Sequence, residues 1–176
     1  PHLLCLAAAD RSLAGILGSE REQPSWTAEC VRAGKQIATA LASLHHRGIL
    51  HGDIKPRNVV RVGAHFKLID MDAAVTIGSP GAVKLSTAFA PPEVAAVLAE
   101  RGSVEAQPFL DAWAFGATLY EMLTGATLFN SDASDNIVDS SDLHRLASWT
   151  DEVKKAKLAL VKDRFAAHLL GRLLSR

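Results

Sequence analysis

Eight consecutive residues, His51-Gly52-Asp53-Ile54-Lys55-Pro56-Arg57-Asn58, gather an acid, a cation and an amide. Asp70-Met71-Asp72 brings two more acids a short distance later. A carboxylate to take a hydroxyl proton, an ammonium to offset phosphate charge and oxygen ligands for a divalent metal are the parts that phosphoryl transfer uses. That chemistry is mostly positioning and charge compensation, so a few well-held side chains suffice.

The flanking pattern says how they are held. Trp26, Cys30, Ala33, Ile37, Leu41 and Leu44 recur in steps of four and three, one face of a long amphipathic helix. His45 and His46 fall in its last turn, where positive charge suits the helix dipole, and Gly48 ends it. Adjacent histidines on a helix point in different directions, which argues against a shared metal. After the motif, residues 58–62 and 66–70 read as two short strands joined by a hairpin loop at 63–65. The hairpin sets Asn58, at the start of one strand, beside Asp70, at the end of the other. Two oxygen ligands then face one small volume, as a hard cation requires.

The other segments read more plainly. Residues 2–6 form an expected strand, and Asp10-Arg11-Ser12 caps a helix bearing Leu13, Ile16 and Leu17. Residues 18–24 read as a polar linker. Residues 71–88 form a loop whose clearest turn is Gly78-Ser79-Pro80-Gly81, and Phe89-Ala90-Pro91-Pro92-Glu93 leads into a short helix at 94–100. A second loop spans 102–108. Residues 109–124 are apolar nearly all round, which marks a central buried helix. Asp111 lies near its start, and a buried carboxylate must accept hydrogen bonds, so it is expected to hold something. Gly116 permits close approach and Gly125 is the expected C-cap. Residues 131–142 are polar and acidic, an expected exposed loop. Thr150-Asp151-Glu152 starts a helix, and a last helix presents Phe165, Ala166, Leu169, Leu170 and Leu173 as its apolar face. No internal repeat is visible.

A length of 176 residues suits one domain, and 48% hydrophobic against 22% charged residues excludes a disordered chain. Lys plus Arg equals Asp plus Glu at 19 each, so the basic excess of a nucleic-acid binder is missing. Cys5 and Cys30 match no ligand spacing and read as reduced thiols of an intracellular, cytoplasmic protein. No apolar run is long enough to span a membrane, and residues 3–9 lack the basic front of a signal peptide. The sequence opens at Pro1 and stops in mid-pattern at Leu173-Leu174-Ser175-Arg176, so it reads as a fragment.

In order along the chain, His51-Gly52-Asp53 with Asn58, Asp70-Met71-Asp72, Pro91-Pro92-Glu93 and Asp111-Ala112-Trp113-Ala114-Phe115-Gly116 resemble the large lobe of a protein kinase. The resemblance covers essentially the whole chain. It implies a mainly α fold with a small β-hairpin, the α+β kinase fold in truncated form. Residues 1–9 would be the last small-lobe strand and the hinge, with 10–176 the large lobe, cut before its final helix. Leu6 would be the gatekeeper, Ala7, Ala8 and Ala9 the hinge facing adenine, and Val60 the floor beneath it. Asp53 would be the catalytic base and Lys55 the phosphate cation of the Ser/Thr-directed branch. Asn58 and Asp70 would hold magnesium with ATP. Asp70, Met71, Asp72, Ser86 and Glu93 would mark the activation segment. Glu93 and Asp111 would give structural support, Asp111 by accepting bonds from the catalytic-loop backbone. The implied partners are a protein with a Ser/Thr hydroxyl and the small lobe of the same kinase.

There are departures. Gly52 replaces the Arg that pairs with a phosphorylated activation loop, so activity is expected not to depend on loop phosphorylation. Met71-Asp72 replaces Phe-Gly, which places Asp at a position whose backbone angles it adopts reluctantly, and Asp72 is either a tolerated loop acid or a third metal ligand. Ser86 stands where Thr is usual. No glycine-rich phosphate loop and no small-lobe Lys occur in the 176 residues, so the chain alone is expected to be inactive. Two other readings remain open. His-Gly-Asp with Asp72 also resembles small-molecule kinases of the aminoglycoside and choline type. The lobe would alternatively serve as a pseudokinase scaffold.

Overall fold

A computed structural model describes residues 8–80, 85–99, 103–137 and 140–175. The expected strand at 2–6, Cys5, the expected gatekeeper Leu6 and Ala7 of the expected hinge lie outside the described residues. Ala8 and Ala9 are exposed and carry no regular structure.

Strand β1 (Arg11–Ser12) leads at once into helix α1 (Leu13–Glu20), whose first turn is capped by Ser12 Oγ accepting from Gly15 N. The helix overruns the polar segment expected as a linker and ends at Glu20. Helix α2 (Trp26–His46) buries Trp26, Cys30, Ala33, Ile37 and Leu41, the stripe read from the spacing. It is clamped at its start and its middle: Trp26 Nε1 donates to Met122 O at 2.9 Å, and Gln36 Oε1 accepts from Phe66 N at 2.6 Å.

After β2 (Ile49–Leu50), Pro56–Asn58 forms a 3₁₀ turn, then β3 (Val59–Val62) and β4 (His65–Leu68) make the hairpin. Asn58 therefore closes the turn and is not the first residue of a strand; Pro56, with its fixed φ, opens that turn. His65 pairs with Val62, so the loop is only Gly63-Ala64, with Gly63 at φ 58. The second strand stops at Leu68, before Asp70. β1 adds to this hairpin through Arg11↔Arg61 and Ser12↔Val60, giving the sheet order β1-β3-β4. A second small sheet pairs β2 with β5 (Val75–Thr76). Such two-residue strands give no alternation to read, so neither β1, β2 nor β5 was legible in the sequence.

Helix α3 (Pro92–Ala99) starts two residues earlier than expected because proline is at home in a first helical turn. Helix α4 (Pro108–Thr124) is the centre: eleven of its residues are buried, and Gly125 ends it at φ 76. Helices α5 (Ser140–Ala147), α6 (Asp151–Leu158) and α7 (Arg164–Leu173) follow. Thr150 caps α6 through Val153 N, as its first turn of acids suggested.

Three expectations need correcting. The acidic segment at 131–142 is not a plain exposed loop: Ile137 is 7% exposed, and α5 begins at Ser140. The apolar face of α7 is misassigned as well. Leu170 is fully buried and Ala166 and Leu173 pack on the core, but Phe165 is 89% and Leu169 46% exposed. The helix carries apolar residues on two faces, and α4 selects one of them: a Cβ on Gly116 would meet Leu173 Cβ at 2.9 Å, so Gly116 is the seat of α7. Lastly, Asp72 does not carry the unusual backbone angle. Among the described residues the non-glycine positions with positive φ are Asp70 (66°) and Asp135 (63°), types that adopt it several-fold more readily than most.

Candidate active site

Asp111 is fully buried and organises the site from below. Its Oδ2 accepts from His51 N and its Oδ1 from Gly52 N, both at 2.9 Å. His45 Nε2 lies 2.8 Å from Oδ2 and donates the third bond. The carboxylate thus grips the backbone of His51 and Gly52, and adds the end of α2, which was not expected. His51 is also fully buried: its Nδ1 accepts from Asp53 N at 3.4 Å, and its Nε2 bonds Ile69 O at 3.2 Å. Those two bonds assign the ring proton to Nε2 and tie the loop to Ile69, the residue preceding Asp70.

Gly52 adopts φ +82, and a Cβ there would sit 2.6 Å from Ala73 O. No side chain fits without moving that backbone. The segment just after Asp70 thus lies directly on the Gly52 backbone.

Asp53 stands at the centre of a charge-assisted network. Its Oδ2 accepts from Asn58 Nδ2 at 2.8 Å and lies 3.0 Å from Lys55 Nζ. Its Oδ1 accepts from Ser86 Oγ at 2.8 Å, and the same hydroxyl accepts from Lys55 Nζ at 2.8 Å. Asn58, 5% exposed, also donates to Asp53 O at 2.8 Å. The hairpin brings Asp70 alongside: Ile69 N donates to Asn58 O at 3.0 Å. Asp53, Asp70, Asp72, Leu85, Ser86 and Asn136 line an open cleft of about 400 Å³. Val60 is buried, on the strand face opposite Val59, which joins the main core. Glu93 lies half-buried in the first turn of α3.

Oxygen donors suit a hard cation. With Asn58 Nδ2 committed to Asp53, the atom that Asn58 offers a metal is its Oδ1. Among the described residues no three His, Cys, Asp or Glu side chains form a free-standing metal cage. An Asn–Asp pair fits magnesium all the same, because that ion commonly takes one or two protein oxygens and leaves its other positions to phosphate and water.

Sequence reasoning missed Asp135. It lies 3.4 Å from Lys55 Nζ and 3.3 Å from Arg57 Nε, close enough for charge pairing although its Oδ2 lacks hydrogen-bond geometry. It also missed Glu121, whose carboxyl is pushed up to about 7 by burial and by the Asp135 charge, against a lowering by Arg57. No local signal marks either residue, since what matters is the fold of the segment after α4. The second cavity, about 320 Å³ between α1 and α2, is lined by a staple: Arg61 is paired with Glu20 at 2.8 Å and Glu29 at 3.5 Å, holding Glu20 below the usual carboxylate range.

The protein kinase domain family model matches residues 3–175. This chain belongs to the protein kinase family. Rho-associated protein kinase let-502 of Caenorhabditis briggsae is 36% identical over 102 residues, 56% of this chain and 8% of that protein. Serine/threonine-protein kinase ArnS of Sulfolobus acidocaldarius is 35% identical over 108 residues, 51% of this chain and 17% of that protein. A chain in the crystal structure of the yeast RNA Pol II CTD kinase CTDK-1 complex superposes with a TM-score of 0.72 at 19% identity, over 95% of this chain and 62% of that one. The last likeness is one of fold. This kinase chain spans less than two thirds of each of these relatives.

Proposed function

We propose that this chain is the large lobe of a serine/threonine protein kinase, with residues 10–176 supplying the acceptor and metal side of an ATP- and magnesium-dependent transfer. The observation that carries the reading is the Asp53 carboxylate held by Asn58, Ser86 and Lys55 within 3.0 Å. Such a carboxylate orients an acceptor hydroxyl and takes its proton as the oxygen attacks the γ-phosphorus. Lys55 Nζ, already beside Asp53, offsets the charge on the transferring group. Asn58 and Asp70 would hold magnesium, which would neutralise phosphate charge. Val60 would form the floor under the adenine, with Leu6 as gatekeeper and Ala7, Ala8 and Ala9 as the hinge. Glu93 closes an activation segment running from Asp70 through Met71, Asp72 and Ser86.

Lys55 and the named serine/threonine kinase relative ArnS favour a protein hydroxyl over an aminoglycoside or choline. No helix among the described residues is long and apolar enough to cross a membrane. A cytoplasmic site of action agrees with the buried, unpaired thiol of Cys30, which burial pushes up to about 11. The 176 residues alone transfer nothing, because no glycine-rich loop or small-lobe Lys is present to grip ATP from above. The test is a melting scan of the natural full-length protein with ATP, with and without magnesium. A magnesium-dependent upward shift supports a nucleotide-using kinase; no shift means a scaffold. Phosphorylation of an aminoglycoside but of no protein would reverse the substrate class.

A further inference from the structure

The segment after α4 folds into a tight, self-bonded loop. Asp132 Oδ1 accepts from Ser134 N at 2.8 Å and Asn136 N at 2.9 Å, while Asp132 N donates to Asn136 O at 2.8 Å. At its tip Asp135 takes φ 63. The loop is fastened to the activation segment: Ala88 N donates to Asp135 O at 3.1 Å, and Ile137 N donates to Thr87 Oγ1 at 2.7 Å. The fastening leaves the Asp135 side chain, 15% exposed, against Lys55 and Arg57.

We propose that Asp135 is a positioning residue of the transfer site, fixing Lys55 from an element that neither the catalytic loop nor the metal loop supplies. The Lys55 ammonium donates to Ser86 Oγ at 2.8 Å and lies 3.0 Å from Asp53 and 3.4 Å from Asp135, the last a charge contact without hydrogen-bond geometry, so its head is held between oxygens of three segments. Without the third, a four-carbon side chain regains rotamers that point away from the phosphate. Arg57, 57% exposed, is drawn in by the same carboxylate. The Asp135 charge is also felt on α4, where it helps to raise Glu121. The proposal rests on the kinase reading only for its kinetic arm.

The positive φ dictates the variants. Asp135→Asn and Asp135→Gly both tolerate that angle, so they remove the charge without straining the loop. In the natural full-length protein each variant is assayed for phosphate transfer to casein and for acylation of individual lysines, read by mass spectrometry. Both are expected to lose about tenfold or more in kcat with KM for ATP within about twofold, the pattern of lost positioning and intact nucleotide binding. Lys55 acylates several-fold faster in each, and the exposed Lys162 does not change. Wild-type kcat, or wild-type labelling of Lys55, in either variant overturns the proposal. So does faster labelling of all lysines alike, which would mean general loosening. If the wild-type protein phosphorylates no protein at all, the kinase reading falls, and the Lys55 labelling alone decides whether Asp135 holds it.

Discussion

Asp111 is a carboxylate removed from water, and its three hydrogen bonds to His51 N, Gly52 N and the His45 ring replace that water. Asp111→Ala leaves two buried amides without an acceptor and is expected to cost about 2–5 kcal/mol, measured by urea unfolding. That Asp111 must hold something was legible from an acid near the start of an apolar helix. That it holds His45 was not, because the contact joins residues far apart in sequence. Glu121 yields a pH prediction. Its carboxyl titrates near 7 in the folded chain against 4.5 when free, so the folded state binds the extra proton and loses stability as pH rises from about 4.5 through about 7. The stability of Glu121→Gln minus that of wild type should therefore climb across this window and level off above it, and a flat difference would remove Glu121 from the account. Asp70→Asn keeps a residue that accepts φ 66 and removes the charge, so magnesium-dependent transfer should fall while the melting temperature barely moves.

At the scale of elements, helix α7 shows what periodicity cannot settle. Its sequence offers two apolar faces, and only the seat at Gly116 decides that Leu170 turns inward and Phe165 outward. Leu170→Ala should cost about 2–5 kcal/mol, and Phe165→Ala no more than about 0.5 kcal/mol, in paired denaturation curves. The loop at 51–58 and the segment just after Asp70 meet at Gly52, where Ala73 O fills the space of a side chain. Restoring the family's usual Arg there should displace the segment and lower both stability and transfer. The absence of an Arg at position 52 leads us to expect no dependence on loop phosphate, and phosphatase treatment should then leave activity unchanged. Mutating every loop hydroxyl would be a poor substitute for that experiment, since Ser86 bridges Asp53 and Lys55 and Thr87 bonds Ile137 N.

For the molecule as a whole, the long periodic elements were readable because burial leaves a pattern along them: α2 and α4 sit where the spacing put them, and the β3–β4 hairpin lies within two residues of its expected bounds. The short strands and the loop bearing Asp135 were not readable, since their geometry comes from neighbours distant in sequence. The motif residues Asp53, Lys55, Asn58 and Asp70 were found as a set, and their convergence with Ser86 agrees with one transfer site. The most direct test of that claim is transfer of radiolabelled γ-phosphate from magnesium-ATP to casein by the natural full-length protein and its Asp53→Asn variant. The account predicts phosphoserine or phosphothreonine that requires magnesium and falls by about 10²–10⁴-fold in the variant. Undiminished transfer by Asp53→Asn would contradict it.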